Sequence, residues 1–224
     1  MKGIWAQNWF MIPVCLFLGA GIALVAIVPY GDEILYLNNL RCEPYISIFK
    51  FFSWCGEPWI WVIAGLAALF WRFRFTFMIA LTGLIMPFVF ILKDQVGTDR
   101  PLTYFRNSGQ ETALVTIPEL PLNVGQTSFP SGHTMSAFGL YSLLALMAGP
   151  KSRNRALLLA LTAIAVAISR IFLVQHFLVD VLGGAMLGMA VSGFVWWLNA
   201  GAYSQKKAWL DRNLKLPKML ATIK

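Results

Sequence analysis

The sequence predicts an all-α fold, a polytopic membrane helical bundle of six transmembrane helices with one long external loop. Two observations indicate this class. Of the 224 residues, 58% are hydrophobic and only 12% are charged, whereas soluble domains carry roughly 25% charged residues. The apolar residues also gather in runs of about 20, the length of helix that crosses a bilayer core. We expect residues 1–224 to form a single integral-membrane domain, because the length leaves no room for an attached soluble module.

Six segments are apolar and long enough to be candidate spans: Trp9–Tyr30, Phe49–Trp71, Phe75–Leu92, Thr134–Gly149, Ala156–Val174 and Phe177–Leu198. The second segment carries Lys50 and Glu57 near its beginning. Its helix is therefore open to an alternative start near Pro58, since proline suits the first helical turn. Between the third and fourth spans, the chain from Lys93 to His133 contains four prolines and is predicted to be the long loop.

The distribution of basic residues predicts the orientation in the membrane. Twelve of the eighteen lysines and arginines fall on one side of the six spans: Lys2, Arg72, Arg74, Lys151, Arg153, Arg155, Lys206, Lys207, Arg212, Lys215, Lys218 and Lys224. We assign this side to the cytoplasm. Both termini are then cytoplasmic, and the long loop faces the periplasm or exterior of a bacterial inner membrane.

The net charge of +8 follows from this topology, so we expect no nucleic-acid partner. The three cysteines form no CxxC pair, which gives a zinc site no support. Cys42 and Cys55 both fall on the predicted external side, where a disulfide can persist; two unrelated thiols are the preferred interpretation. Asp, Glu and His form no further cluster with metal-ligand spacing, so no metal and no other cofactor is expected.

Cationic side chains and one helix start point to a phosphate site at the external boundary. Lys93, Arg100 and Arg170 together supply three positive charges, which suit a multiply charged oxyanion. Ser131 and Gly132 open a predicted helix, where free backbone N–H groups and the helix dipole attract an anion. We expect Ser131 to cap this helix and Gly132 to let the anion approach the backbone.

The two histidines of the chain, His133 and His176, both fall at the same boundary. His176 and Asp180 are four residues apart and share one helix face. A carboxylate placed there holds one imidazole nitrogen protonated and leaves the other as a nucleophile. His133 is then available to donate a proton to the leaving oxygen. Phosphoryl transfer is the reaction class that uses all of these groups.

Three segments resemble the motifs of the type 2 phosphatidic acid phosphatase superfamily, with matching order and spacing: Lys93 to Pro101, Pro130 to His133 and Ser169 to Asp180. The resemblance implies a phosphate bound by five residues, namely Lys93, Arg100, Ser131, Gly132 and Arg170. It further implies that His176 forms a phosphohistidine supported by Asp180, that His133 protonates the leaving group, and that water then releases phosphate.

Taken singly, these features also have structural interpretations. Pro-Ser-Gly-His is compatible with a plain helix start, Arg170 with an interfacial anchor, and the pair His176 and Asp180 with helix packing. Gly184 and Gly188 form a GxxxG pattern that we attribute to close packing within the monomer rather than to dimerisation. The oligomeric state stays open. Jointly, the three motifs favour the catalytic interpretation.

The predicted function is hydrolysis of a phosphomonoester or pyrophosphate of a cell-envelope lipid, with the lipid phosphate substrate and membrane lipids as partners. Candidate substrates are undecaprenyl pyrophosphate, phosphatidylglycerol phosphate, phosphatidic acid and lipid A 1-phosphate. A lipid phosphotransferase with the same site is the first alternative. A six-span transporter whose charges form a substrate site is the second, because intramembrane charges also mark transport pathways.

Overall fold

A computed structural model describes residues 8–117, 120–149, 152–200 and 208–214, and every regular element in these ranges is helical. Ten α-helices follow in chain order: α1 Asn8–Ile27, α2 Asp32–Asn38, α3 Tyr45–Trp54, α4 Trp59–Trp71, α5 Phe73–Ile85, α6 Val89–Val96, α7 Pro101–Asn107, α8 Gly132–Ala148, α9 Arg153–Phe172 and α10 Leu178–Ala200. Short 3-10 turns lie at Met86–Phe88, Glu111–Ala113 and Ala208–Asp211. The all-helical membrane class is confirmed.

Four helical stretches of the described residues are long and apolar enough to cross a membrane, or five if one bent pair counts as a single span. The four are Asn8–Ile27, Phe73–Asn107, Arg153–Phe172 and Leu178–Asn199, and the pair is α3 with α4. The predicted fourth span corresponds to α8, whose 17 residues extend about 25 Å. The number of six spans is therefore not confirmed by helix length and composition.

The second predicted span, Phe49–Trp71, is broken at Pro58 into parts of two helices, α3 and α4. Helix α4 starts at Trp59 with Pro58 at its N-cap, and the preceding helix α3 meets it at an angle of 55°. Pro58 cannot donate a backbone hydrogen bond to the helix before it, so the chain turns there. The corner places Glu57 at the junction of the two helices, facing the start of α8.

The long loop predicted from Lys93 to His133 is only partly a loop. Helix α6 continues past Leu92 and ends at Gly97, whose φ of +61° forms a left-handed C-cap. Pro101 then starts α7 in the first-turn position that proline favours. Lys93 therefore projects from a helix and Arg100 from the short link before the next helix.

Helix α8 is the centre of the bundle and packs against α9 and α10. Glycines on α10 allow the close approach. A Cβ atom at Gly188 would lie 2.3 Å from the Met135 carbonyl oxygen, and one at Gly184 would lie 2.5 Å from that of Ser131. The GxxxG pattern therefore serves packing within the monomer, as predicted, and it fixes the start of α8 against the first turns of α10.

Residues that the charge distribution assigned to one side of the membrane lie together at one end of the bundle. The Phe73 amide donates to the Arg212 carbonyl at 2.9 Å, and the Arg74 guanidinium binds both carboxylate oxygens of Asp211. Arg153 stacks on the Trp9 ring. The lysines assigned to this side fall outside the described residues: Lys2, Lys151, Lys206, Lys207, Lys215, Lys218 and Lys224.

The three cysteines, Cys15, Cys42 and Cys55, are free thiols in the structure, in agreement with the interpretation as unlinked cysteines.

Candidate active site

A cavity of about 680 Å³ opens at the other end of the bundle and is lined by six of the eight predicted site residues, namely Lys93, Arg100, Gly132, His133, Arg170 and His176. The remaining two, Ser131 and Asp180, lie behind its wall without solvent exposure. Four segments distant in the sequence converge there: α6 with the link to α7, the start of α8, the end of α9, and the turn into α10.

His176 lies in the turn that joins α9 to α10. The backbone amides of Gln175 and His176 both donate to the Arg170 carbonyl, which fixes this turn. Nδ1 of His176 lies 3.6 Å from Oδ2 of Asp180, and Nε2 lies 3.3 Å from Nη1 of Arg100. A guanidinium can only donate, so Nε2 carries the lone pair. The nitrogen with the lone pair therefore faces the cationic side of the cavity.

Asp180 is oriented by two donors on the oxygen that faces His176. The Ser128 hydroxyl donates to Oδ2 at 2.5 Å and the Phe177 amide at 2.9 Å. Ser128 is fully buried and was not among the predicted site residues. Its proximity in sequence to the Pro-Ser-Gly-His motif is the signal that could have identified it. The carboxylate is thus held in place by groups that do not neutralise its charge.

The three cations are held by oxygens that carry no formal charge. Lys93 Nζ donates to the Thr127 carbonyl at 2.8 Å, and Arg100 Nη1 donates to the Gln175 carbonyl at 3.1 Å. Arg170 donates to the Ser53 hydroxyl. Its Nε is buried and has no hydrogen-bond partner among the described residues. Buried positive charge with a spare donor is what an oxyanion requires of its site.

The start of α8 presents free backbone amides to the cavity. Ser131 occupies the N-cap position, but the prediction that its side chain caps the helix is wrong, because it makes no capping hydrogen bond. The Ser131 hydroxyl instead accepts from the Thr134 hydroxyl at 2.9 Å. A Cβ atom at Gly132 would have no atom within 4 Å. Gly132 therefore leaves space for an anion at the positive end of the helix dipole.

Glu57 is a further acidic group at the cavity, and its Oε1 lies 2.8 Å from Nε2 of His133. The side chains of both residues are partly exposed, Glu57 by 40% and His133 by 27%. In the sequence, Glu57 stands out only as a charge near the edge of a predicted span. An acidic residue inside a long apolar run is costly in a membrane, and that cost is the signal that could have marked it as functional.

The sequence profile of the PAP2 superfamily matches residues 59–203, a range that contains every predicted site residue. The chain belongs to the PAP2 superfamily. A curated relative, phosphatidylglycerophosphatase B of Bacillus subtilis (strain 168), is 35% identical to this PAP2 protein over 114 residues, which are 48% of this chain and 53% of the relative. The PAP2 chain thus spans about half the length of that relative.

Two solved structures share the fold of this PAP2 protein. The crystal structure of Aquifex aeolicus LpxE matches with a TM-score of 0.60 and 20% identity, covering 74% of this chain and 93% of that one. The first transmembrane PAP2 type phosphatidylglycerolphosphate phosphatase from Bacillus subtilis matches with a TM-score of 0.51 and 22% identity, covering 90% of this chain and 99% of that one. The helical arrangement around the site is therefore that of membrane PAP2 proteins.

Burial and neighbouring charge keep the PAP2 protein's His176 neutral. Desolvation, followed by the positive charges of Arg170, Arg100 and Lys93, lowers the pKa of His176 well below its usual range. The imidazole therefore retains its lone pair at physiological pH. An anion bound among the three cations would meet this lone pair directly.

Proposed function

We propose that this PAP2 protein is an integral-membrane lipid phosphatase that acts through a phosphohistidine on His176. The observation that carries the proposal is that the cavity has a cationic end and an apolar wall. One end holds Lys93, Arg100, Arg170 and His176, while the wall between α4, α5 and α6 is apolar. A phosphorylated lipid has this same division between an anionic head and an apolar tail.

In the first half-reaction, Nε2 of His176 attacks the phosphorus atom while the bond to the lipid oxygen breaks. Asp180 stabilises the positive charge that develops on the imidazole through its Nδ1 side. Lys93, Arg100 and Arg170, with the amides at Gly132, stabilise the negative charge on the non-bridging oxygens. Ser131 lies behind the cavity wall and its amide donates to the Asp180 carbonyl at 3.0 Å, so its contribution is to hold the start of α8 against α10. His133 gives a proton to the departing lipid oxygen.

In the second half-reaction, water attacks the phosphohistidine. His133 now takes the proton from water, in the reverse of its first role. The N–P bond breaks, inorganic phosphate leaves, and the neutral imidazole of His176 is restored. None of these steps requires a metal ion, and we propose that catalysis is independent of metal.

The apolar wall supports a lipid rather than a soluble substrate. Its residues include Leu84 and Phe90, which are 72% and 64% exposed on the outer surface of the bundle. A second groove of about 320 Å³ runs between α4 and α5 and shares Trp61, Ala80 and Gly83 with the main cavity. Together they form an apolar path on which an acyl or prenyl tail can lie.

Phosphatidylglycerol phosphate is the preferred candidate substrate, because the curated relative is named for activity on this lipid. Undecaprenyl pyrophosphate, phosphatidic acid and lipid A 1-phosphate remain candidates, since their phosphates suit the same cationic end. All four are lipids, so the cavity predicts membrane-embedded substrates in each case.

We further propose a six-span topology in a bacterial inner membrane. Five of the spans would be α1, the α3 and α4 pair, α5 with α6, α9 and α10. The short helix α8 would be the sixth, because its length is within the range that can span a membrane. The basic end of the bundle carrying Arg72, Arg74 and Arg153 would face the cytoplasm with both termini. The active site would then face the periplasm or exterior.

The test is phosphate release by the purified protein in detergent from each of the four lipids. We expect turnover without an added acceptor lipid and without loss in a metal chelator. His176→Ala should abolish turnover, and labelled phosphate should attach to wild type but not to this variant. Thr162→Ala is the matched control, since Thr162 does not line the cavity and its hydroxyl donates to the Leu158 carbonyl of the same helix.

Four results would contradict the proposal in different ways. No phosphate release from any lipid would remove the phosphatase assignment. Strict dependence on a second lipid would indicate the phosphotransferase, and phosphate flux into proteoliposomes without turnover would indicate the transporter. Loss of activity in chelator that Mg²⁺ restores would overturn metal independence alone.

A further inference from the structure

Glu57 lies outside all three motifs, yet the fold brings it to His133. It projects from the corner between α3 and α4, and this corner is packed tightly on the start of α8. A Cβ atom at Gly56 would lie 3.1 Å from the His133 carbonyl oxygen. The Tyr141 hydroxyl donates to the Cys55 carbonyl at 2.7 Å. The position of the Glu57 carboxylate is therefore set by the backbone of the corner.

In the hydrogen bond between Glu57 and His133, the histidine is the donor. An ionised carboxylate only accepts hydrogen bonds, so Nε2 of His133 carries a proton in the 2.8 Å contact with Glu57. Lys93, Arg100 and Arg170 line the same cavity, and like charges disfavour a protonated ring. Glu57 supplies the opposite charge that a protonated His133 needs.

We propose that Glu57 is a positioning and specificity residue that acts through His133 and selects lipid phosphomonoesters over lipid diphosphates. This inference rests on the proposed phosphatase function. During phosphoryl transfer the bond from phosphorus to the lipid oxygen breaks and the bond to His176 forms. The lipid oxygen receives the Nδ1 proton of the His133 imidazolium, which leaves a neutral imidazole whose Nε2–H still donates to the Glu57 carboxylate. Water returns that proton when the phosphohistidine is hydrolysed.

The selectivity follows from what each substrate releases. A phosphomonoester releases a lipid alcohol, which requires a proton, and the Glu57 carboxylate favours the protonated form of His133 that supplies it. A diphosphate releases a lipid monophosphate, which leaves as an anion and needs no proton. That anion would also lie beside the Glu57 carboxylate and be repelled by it. The Glu57 and His133 pair thus helps the first reaction and hinders the second.

The experiment compares wild type with Glu57→Gln in detergent on phosphatidylglycerol phosphate, undecaprenyl pyrophosphate and p-nitrophenyl phosphate. Nitrophenol, like a phosphate, departs as an anion without protonation. We expect kcat/KM of the variant to fall by about tenfold or more on the monoester lipid, as part of what general-acid catalysis contributes. The rate on p-nitrophenyl phosphate should be nearly retained, and the preference for monoester over diphosphate should fall by about tenfold.

Tyr141→Phe is the control, because it loosens the same corner without touching His133. It should leave unchanged the ratio of kcat/KM for the monoester lipid to that for the diphosphate lipid, and the ratio of kcat/KM for the monoester lipid to that for p-nitrophenyl phosphate. Equal losses on all three substrates in Glu57→Gln would overturn the inference while the phosphatase function stands. A preference of the wild-type protein for the diphosphate lipid would also overturn the inference. This measurement does not depend on whether the variant folds. Absence of turnover by wild type on every substrate would overturn the proposed function and the inference with it.

Discussion

Asp180 depends on Ser128 for its orientation. Both side chains are fully buried, and the 2.5 Å hydrogen bond between them joins the segment before α8 to the first turn of α10. A buried carboxylate that loses a donor keeps its desolvation cost without the compensating bond. The serine therefore serves both the stability of the fold and the orientation of the carboxylate that faces His176, the proposed nucleophile.

Ser128→Ala is expected to lower the free energy of unfolding by about 1.5–3 kcal/mol, the range for hydrogen bonds to charged groups. Phosphate release should also fall, because Asp180 can then turn away from His176. Thermal unfolding in detergent measures the first effect and kcat the second. Thr162→Ala, which removes an exposed hydroxyl, should change neither; an unchanged melting temperature in Ser128→Ala would contradict the role of the bond.

The titration of His176 is a second prediction for a single residue. Its pKa in the folded protein is depressed, so the ring stays neutral as the pH falls through the ordinary value near 6.5. The unfolded chain binds that proton and the folded chain does not, so stability decreases as the pH falls below about 6.5. In His133→Asn, His176 is the remaining histidine, and its ¹⁵N imidazole signals report the pKa directly. Titration at or above 6.5 would refute the burial argument.

The motif residues could be predicted from the sequence because ionisable side chains at membrane boundaries are rare and their spacing is regular. Ser53, Ser128 and Glu57 could not be predicted in the same way. Serine is common at helix ends, and a lone glutamate near a span edge has an ordinary interpretation as a boundary charge. Only the tertiary packing of α3 and α4 on α8 brings Ser53 to Arg170 and Glu57 to His133.

Helix α10 meets α8 through positions at which a methyl group has no room. At Gly188, an added Cβ would contact backbone atoms of Met135 and Gly139 at 2.3 and 2.8 Å. Backbone cannot rotate aside as a side chain can, so the helices would have to separate. At Gly193 on the same helix, nothing lies within 4 Å of the added atom.

Gly188→Ala is expected to destabilise the protein by about 1–3 kcal/mol through overpacking. Gly193→Ala should be neutral or stabilise by up to about 1 kcal/mol, because alanine is the better helix former. The melting temperatures of the two variants in one detergent make the comparison. Equal effects at both positions would show that the close α8 and α10 contact is not what these glycines provide.

Element boundaries were predicted where the sequence breaks the helix itself. Pro58 is such a break, and α4 begins beside it. The end of α6 at Gly97 was not predicted, because the span was expected to end at Leu92. The sequence did not reveal that α8 is largely buried or that the predicted loop contains α7. Both depend on packing partners: α8 is apolar on all sides because α9 and α10 surround it, a pattern shared with helices that face lipid.

The molecule as a whole combines a cationic end with an apolar path that leads to its outer surface. Ala80 and Gly83 line both the main cavity and the groove between α4 and α5. This path comes from the spacing of three helices, and no single stretch of sequence carries a pattern for it. A bulky side chain in the shared part should therefore affect the tail of the substrate without affecting phosphate chemistry.

Ala80→Trp is expected to reduce kcat/KM for a long-chain lipid phosphate by about tenfold, a modest steric discrimination in an apolar pocket. Hydrolysis of p-nitrophenyl phosphate, which has no tail, should be unchanged. Leu161→Trp on the exposed face of α9 is the control and should leave both rates unchanged. Equal loss on the two substrates would indicate that the path does not hold the tail.

The exposure of Leu84 and Phe90 beside the cavity also bears on how the proposed lipid substrate would reach the cavity. A lipid that enters through this wall arrives by lateral diffusion within the bilayer, in two dimensions. Its effective concentration is then the mole fraction of phosphorylated lipid among all surrounding amphiphiles. Dilution with inert detergent or lipid should slow the reaction even when the amount of substrate per volume of solution is constant, so the composition of the membrane itself sets the rate.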